Sequence, residues 1–315
     1  MALGDNIYTI YAVNIANDVP ILLNQCTDGA LDTGLREIIE GADGEVDARY
    51  AAVMEQRPVF AFTTTSLQTA LGAAGISGRF LDIDDTATYG PLEAWFQKLA
   101  EGSTRAAGAS HLKMIINEGM LLPRTLRASQ GQVASLRYDA LATYDGSNEP
   151  IAISTAAVSG TPGVSALWTL GPVVINGTEV NGVVDLEVPF GIREIVEGAD
   201  GEVWPRYSAI MERRPAITFT TPDANLFNTL TLTGAAQGAT DSLIYLRQMA
   251  EGSTRTAIDG GGHIKIAVDD GRIFVENITG SHGQRVGTRV RITPTYNGTD
   301  AVLAITTNTD IVLPA

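Results

Sequence analysis

The stretch Leu35-Arg-Glu-Ile-Ile-Glu-Gly-Ala-Asp-Gly-Glu-Val-Asp-Ala-Arg-Tyr50 returns as Ile192-Arg-Glu-Ile-Val-Glu-Gly-Ala-Asp-Gly-Glu-Val-Trp-Pro-Arg-Tyr207. Carried on to Thr64 and Thr221, the two segments agree at 20 of 30 positions at an offset of 157. A repeat on that scale decides the architecture before any single residue does. Further blocks recur in the same order: Ala100 to Arg105 as Ala250 to Arg255, His111-Leu-Lys113 as His263-Ile-Lys265, Gly131-Gln132 as Gly283-Gln284, and Tyr144-Asp-Gly146 as Tyr296-Asn-Gly298. The 315 residues are therefore predicted to be two copies of one fold, residues 1–157 and 158–315. They join near the small-residue connector Ala156 to Gly163, and each is long enough to bury a core.

Within each half, β-branched and aromatic residues alternate with polar ones between closely spaced turn residues, which predicts antiparallel β-structure. The expected strands are Ile7–Val13, Leu35–Glu40, Val59–Thr64, Leu112–Ile116 and Ala134–Thr143. Their counterparts are Ala166–Leu170, Ile192–Glu197, Ile217–Thr221, Ile264–Val268 and Thr288–Tyr296. Leu92–Leu99 and Ser242–Met249 fit helix or strand and are read as strands. Ser66–Leu71 and Asp223–Asn228 open on N-capping residues and predict one short helix per half. Asp145-Gly146 and Asn297-Gly298 predict type I′ hairpins with strands on both sides. The fold class is thus mainly β, two tandem β-sandwich domains each with a short flanking helix. Gly41–Pro58 and Gly198–Pro215 read as long charged loops, and their retention in both halves implies a restraint other than packing.

Lys and Arg number 21 against 36 Asp and Glu, a net charge of −15, which disfavours holding nucleic acid by neutralising phosphate. One cysteine, Cys26, excludes internal disulfides and cysteine-rich metal sites; Val183 stands near its matching place, so small-hydrophobe packing is expected. The N-terminus lacks a basic and apolar leader, and the most apolar run, Val164–Ile175, is broken by Gly171 and Pro172, so a soluble protein without an export signal is expected. Neither phosphate-binding glycine motifs nor hydrolase or zinc-protease signatures occur. His111 and His263 match each other without a third ligand or nucleophile nearby, so each imidazole is expected to satisfy a hydrogen bond at a strand start. Asp82-Ile-Asp-Asp85 has no counterpart and too few oxygens for a calcium cage. No catalytic residue, metal or cofactor is expected.

What survives comparison of the halves is a surface. Asp43, Glu45, Arg49, Tyr50, Glu55 and Arg57, with their twins Asp200, Glu202, Arg206, Tyr207, Glu212 and Arg214, keep both signs of charge in a pattern suited to contacts between copies. Asp47-Ala48 against Trp204-Pro205, and Gln56 against Arg213, are differences that stop the two loops making identical contacts.

Taken together, Pro58-Val-Phe-Ala-Phe-Thr-Thr64 leading into a short helix, the Ala-Glu-Gly-Ser-Thr-Arg block, His-x-Lys and the terminal Tyr-Asp/Asn-Gly turn resemble tail tube proteins of long-tailed bacteriophages, of the kind with two tube domains in one chain. The likeness spans almost the whole sequence. It implies a virion protein of the tail, assembled in the host cytoplasm. Inner strands of neighbouring domains would join into a barrel, three chains would close a pseudo-hexameric ring, and rings would stack into a conduit for DNA ejection. The implied partners are other copies of itself, tail terminator and baseplate proteins, and tape-measure protein and DNA in the lumen without specific binding; no membrane is implied. The Gly41–Pro58 loop and its twin would contact the adjacent ring, and Glu37, Glu40, Glu194 and Glu197 are the candidates for an acidic lumen that repels phosphate.

Other readings are a different virion ring or decoration protein, such as a baseplate hub or head component, and a tandem carbohydrate-binding module. The last predicts exposed aromatics repeated in both halves, for which Trp95 and Tyr245 are the aligned pair.

Overall fold

The computed structural model describes residues 8–15, 21–41, 46–73, 81–83, 90–99, 111–157, 166–199, 201–223, 226, 237–249, 251–252, 255–280 and 287–314. It is mainly β, built from several antiparallel sheets. The first half contains β1 (Tyr8–Asn14), β2 (Leu22–Leu23), β3 (Cys26–Asp32), β4 (Leu35–Glu40), β5 (Tyr50–Gln56), β6 (Val59–Thr64), α1 (Leu67–Ala73), β7 (Leu81–Ile83), β8 (Leu92–Lys98), β9 (His111–Ile116), β10 (Glu118–Ser129), β11 (Ser135–Thr143) and β12 (Ile151–Ala156). The second half repeats these strands as β13 (Leu167–Ile175), β14 (Thr178–Val180), β15 (Asp185–Pro189), β16 (Ile192–Gly198), β17 (Pro205–Arg213), β18 (Ile217–Thr221), β19 (Gln237–Gly238), β20 (Ser242–Met249), β21 (His263–Val268), β22 (Gly271–Thr279), β23 (Gly287–Pro294) and β24 (Ala304–Thr309). Strand numbers in the second half exceed their counterparts by twelve throughout, and the sheet orders match as well.

Each half has a five-stranded sheet, β2–β1–β8–β9–β12 in the first and β14–β13–β20–β21–β24 in the second. Each also contributes five strands to a single ten-stranded sheet, β7, β10, β11, β6 and β3 from the first half, and β19, β22, β23, β18 and β15 from the second. The alternation expected of half-buried strands is plain in β6, where Phe60, Phe62 and Thr64 are buried and Val59, Ala61 and Thr63 are not. Phe60 stacks on Phe62 and meets Phe96 of β8 edge-on, with ring centroids 6.2 Å apart, so the two sheets of the first half pack face to face. Trp168, Ile244, Ile264, Ile217, Phe219 and Val290 are buried in the second half, and one continuous apolar cluster runs through both halves. α1 buries Leu67, Ala70 and Leu71, and its Ala70 carbonyl accepts a hydrogen bond from the buried Tyr138 hydroxyl at 2.9 Å.

The remaining strands form two ribbons, β4 with β5 and β16 with β17. Each leaves the ten-stranded sheet at a glycine with positive φ, Gly34 (56°) and Gly191 (58°). A Cβ at Gly34 would lie 2.2 Å from the Arg57 carbonyl oxygen, and one at Gly191 would lie 1.9 Å from that of Arg214. Only glycine permits both the left-handed backbone and the close crossing that turns the chain out of the sheet.

The expected strands coincide with observed ones, and β13 runs on through Gly171 and Pro172 to Ile175 with a register shift. Leu92–Lys98 and Ser242–Met249 are strands, as expected. The helix expected at Asp223–Asn228 lies largely outside the described residues; Leu226 is helical. Two expectations are corrected. Gly41–Pro58 and Gly198–Pro215 are not simply loops, because each contains the returning strand of its ribbon. A two-stranded ribbon has no interior to impose alternation, so Tyr50-Ala-Ala-Val-Met-Glu-Gln56 carries no period-two signal. Asp145-Gly146 and Asn297-Gly298 do not close hairpins either. Asp145 Oδ1 accepts from the N–H groups of Ser147 and Asn148, and Asn297 Oδ1 from those of Thr299 and Asp300. These turns carry the chain from the ten-stranded sheet over to the five-stranded one, where β12 pairs with β9 and β24 with β21.

Gly191→Ala is expected to lower the unfolding free energy by about 2 kcal/mol or more in urea titrations. Gly201→Ala, with positive φ but open space at the Cβ, is expected to cost roughly 1 kcal/mol.

Candidate functional site

The ten-stranded sheet is continuous because a strand of one half adds to a strand of the other. β10 pairs with β15, Thr125 opposite Pro189, Leu126 opposite Val188, Arg127 opposite Glu187, Ala128 opposite Leu186 and Ser129 opposite Asp185. Leu126, Val188, Ala128 and Leu186 are all buried across this join. On the other face Arg127 donates to Glu187 at 2.8 Å.

The second-half ribbon then folds over the first half and clasps it. The N–H of Gln56 donates to the Val203 carbonyl and that of Tyr144 to the Pro205 carbonyl, both at 2.8 Å. Trp204 packs on the Tyr144 ring with centroids 5.3 Å apart, Arg206 lies over the same ring at 5.2 Å, and Trp204 Nε1 donates to Gln56 Oε1 at 3.3 Å. Arg124 sits between two carboxylates, bonded to Asp139 of β11 at 2.6 Å and held by both oxygens of Glu194 at 2.5 and 2.9 Å. Burial alone would push the Glu194 carboxyl up, but the Arg124 guanidinium more than reverses this and holds it below the ordinary glutamate range. Burial likewise opposes the charge on Arg124, and its two carboxylates outweigh that and raise its pKa.

Duplication supplies the same surfaces a second time, and there they are uncovered. The twin of β15 is β3, and the twin of the β10 edge is the end of β22. Among the described residues, β3 pairs only with β6, and β22 beyond Ile273 pairs only with β23. Leu126 is fully buried in the join, whereas its twin Ile278 is 50 % exposed. Ile192 of the docked ribbon is 8 % exposed and its twin Leu35 48 %; Val196 and Ile210 pack against the core, whereas their twins Ile39 and Val53 are exposed. Tyr144 lies under Trp204, whereas its twin Tyr296 is 66 % exposed.

The surface residues singled out from the sequence distribute over these ribbons. Arg49 is exposed at the far end of the first ribbon with its N–H on the Glu40 carbonyl; Arg206 is in the clasp and pairs with Glu202 at 2.7 Å. Glu55 pairs with Arg57 at 2.6 Å, and Glu212 with Arg214. Tyr50 and Tyr207 are exposed in both halves. Asp43, Glu45 and Asp200 lie outside the described residues. Glu37, Glu40, Glu194 and Glu197 all stand on the ribbons, off the ten-stranded sheet, and Glu194 is engaged by Arg124. Arg124, Tyr144, Leu126 and Ile278 were not singled out from the sequence. The signal that could have found them is the offset alignment itself, which sets Leu126 against Ile278 and Tyr144 against Tyr296.

The remaining titratable candidates have structural roles. His263 Nδ1 accepts from the Gln248 N–H at 3.1 Å and its Nε2 bonds to the Ala257 carbonyl at 2.8 Å; His111 Nδ1 accepts from the Lys98 N–H at 3.0 Å. Both rings are buried at strand starts, as expected. The Cys26 thiol is pushed up to about 12 by burial and donates to the Leu23 carbonyl, and Cys26 and Val183 both pack against the core. His282, Asp84 and Asp85 lie outside the described residues, among which no cluster of three or more His, Cys, Asp or Glu side chains could hold a metal. No described helix is long and apolar enough to cross a membrane.

Arg124→Gln is expected to lower the unfolding free energy by about 2 to 3 kcal/mol at pH 7, since two half-buried carboxylates lose their cation. The depressed Glu194 stabilises the fold above its unfolded pKa of about 4.3, and that contribution is lost as pH falls through the folded value. The gap between variant and wild type is therefore expected to narrow in denaturation curves as pH drops below that range. Compared with known proteins, the chain matches no protein-family model and no curated sequence.

Proposed function

We propose that this chain is the structural subunit of a self-assembled tube of the bacteriophage tail type, in which the join between its halves is repeated between chains. The observation that carries the reading is the pair Leu126 and Ile278: the same apolar edge position is sealed within the chain and open at its end. A first-half edge β3 and a second-half edge β22 are complementary but belong to opposite ends of one chain, so pairing is head to tail and closes only in a ring. Open strand edges of this kind otherwise invite uncontrolled aggregation, and closure removes them. Burying the exposed half of Ile278 at each join would contribute about 0.8 to 1.5 kcal/mol.

Leaving aside the short β7 and β19, each chain brings eight strands of the long sheet, so three chains give a barrel of 24. At about 4.8 Å per strand and some tilt, such a barrel leaves a bore of roughly 25 Å or more, enough for a DNA duplex. The sheet face that would line it carries Arg127, Arg137, Arg289 and Arg291 interleaved with Glu187, Asp139 and Glu276, and these are ion-paired. In this reading the wall is charge-compensated, and the chain's excess of carboxylates lies elsewhere. Tyr50 and Met54, with Tyr207 and Met211, stay exposed in both halves and are assigned to stacking between rings. Such a tube would stand in the virion tail between terminator and baseplate proteins, around tape-measure protein and then DNA. A carbohydrate-binding module is disfavoured because its aligned aromatics, Trp95 and Tyr245, are buried.

Negative-stain microscopy with light scattering over a concentration series is expected to show hollow rings or tubes; a monomer at every concentration would overturn the proposal. Ala30→Lys with Thr279→Lys, which sets like charges opposite across the open join, is expected to abolish rings. Ala30→Glu with Thr279→Arg, copying Glu187 and Arg127, is expected to retain them. Tyr50→Ser with Tyr207→Ser is expected to leave rings that do not stack.

A further inference from the structure

The clasp that the second-half ribbon makes on the first half has a partly identical and partly recoded twin. Identical are the arginine and the ring beneath it: Arg206 over Tyr144 within the chain, Arg49 and Tyr296 at the twin positions. Recoded is the bond beside them. Trp204 Nε1 donates to Gln56 Oε1, and the twins of these two residues are Asp47 and Arg213. Both members of one contact have changed together, from an indole–amide pair to a pair of opposite charges. The same holds one turn of the ribbon away. Arg124 lies between Asp139 and Glu194; their twins are Glu276, Arg291 and Glu37, so the cation has moved from the β10 position to the β23 position while one arginine still stands among two carboxylates. Arg291 Nε already contacts Glu276 at 3.3 Å.

We propose that the ribbon of β4 and β5 docks on the second half of a neighbouring copy of this chain, with Arg49 over Tyr296, Asp47 paired with Arg213 and Glu37 with Arg291. The occupant is a second copy because the chain itself displays both the docked and the undocked form of the same surface, and the charges at the undocked one are complementary. The recoding also gives direction. A first-half ribbon brought to a first-half surface would set Asp47 against Gln56, and a second-half ribbon on a second-half surface would set Trp204 against Arg213, so only alternating joins satisfy both partners. This inference rests on the self-assembly reading and adds the partner contact that fixes its order.

The test is a charge swap in the full-length protein, read by sedimentation velocity, with thermal melting as the check on folding. Asp47→Arg and Arg213→Asp are each expected to reduce the assembled fraction about tenfold, and together to restore it to within about twofold of wild type. Independently, Ala48→Cys with Tyr296→Cys in a Cys26→Val background places thiols at the twins of Pro205 and Tyr144, whose backbones are hydrogen-bonded, and is expected to give a covalent ladder on a denaturing gel. Single variants that assemble like wild type, a swap that does not restore assembly, or no ladder from an assembling protein would overturn the docking and leave self-assembly standing. A wild-type protein that never assembles would overturn both.

Discussion

Five paired positions between β10 and β15 fuse two copies of one fold into a single sheet, and most of what is distinctive about the molecule follows from that join. A strand edge is a row of unspent donors and acceptors, and a duplicated domain brings two of each kind. One of each is consumed inside the chain. The remaining two lie at opposite ends of the long sheet, with Ile278 half exposed beside one of them. Packing in the interior is conventional; the ends of the long sheet are where this fold departs from a self-sufficient β-protein.

Duplication also separates what a contact must keep from what it can change. Arg49 and Arg206, and Tyr144 and Tyr296, are held constant, as a guanidinium over an aromatic ring depends on both partners together. Asp47 and Trp204, and Gln56 and Arg213, have changed as a set. The two glycines at the ribbon bases are constant for a backbone reason, since another residue at Gly34 or Gly191 would strike the carbonyl that crosses it. Constancy in the ribbons therefore has two sources, one in chain geometry and one in recognition.

The repeat, the β class and the places of the expected strands were legible in the sequence because a strand buried on one face announces itself by alternation, as Val59–Thr64 does. The returning strands Tyr50–Gln56 and Pro205–Arg213 were not: the first has little buried on either face, and the second alternates mostly between exposed and half-buried positions filled by residues of mixed polarity. Asp145-Gly146 is a turn with strands on both sides, as expected, but not a type I′ hairpin: Asp145 caps the turn through its side chain, and which sheet the next strand joins is settled by long-range pairing. Tyr50, Arg206 and their neighbours could be picked out by duplication alone. Arg124 stands against Glu276 in the offset alignment, a change of charge that the sequence does record, whereas the contrast between the buried Leu126 and the half-exposed Ile278 is a difference of burial, which a sequence does not.

The paired arginines on the open face of the long sheet bear on what would happen to a polyanion moving past it. Attraction of nucleic acid to a basic surface draws on small ions released when a phosphate meets an uncompensated cation. At Arg127, Arg289 and Arg291 that exchange would first have to break an existing carboxylate contact. A wall arranged in this way offers a sliding duplex little adhesion to escape and little repulsion to overcome. Its drag would then be set by the fit of the bore and the water between, and would respond only weakly to the salt around it.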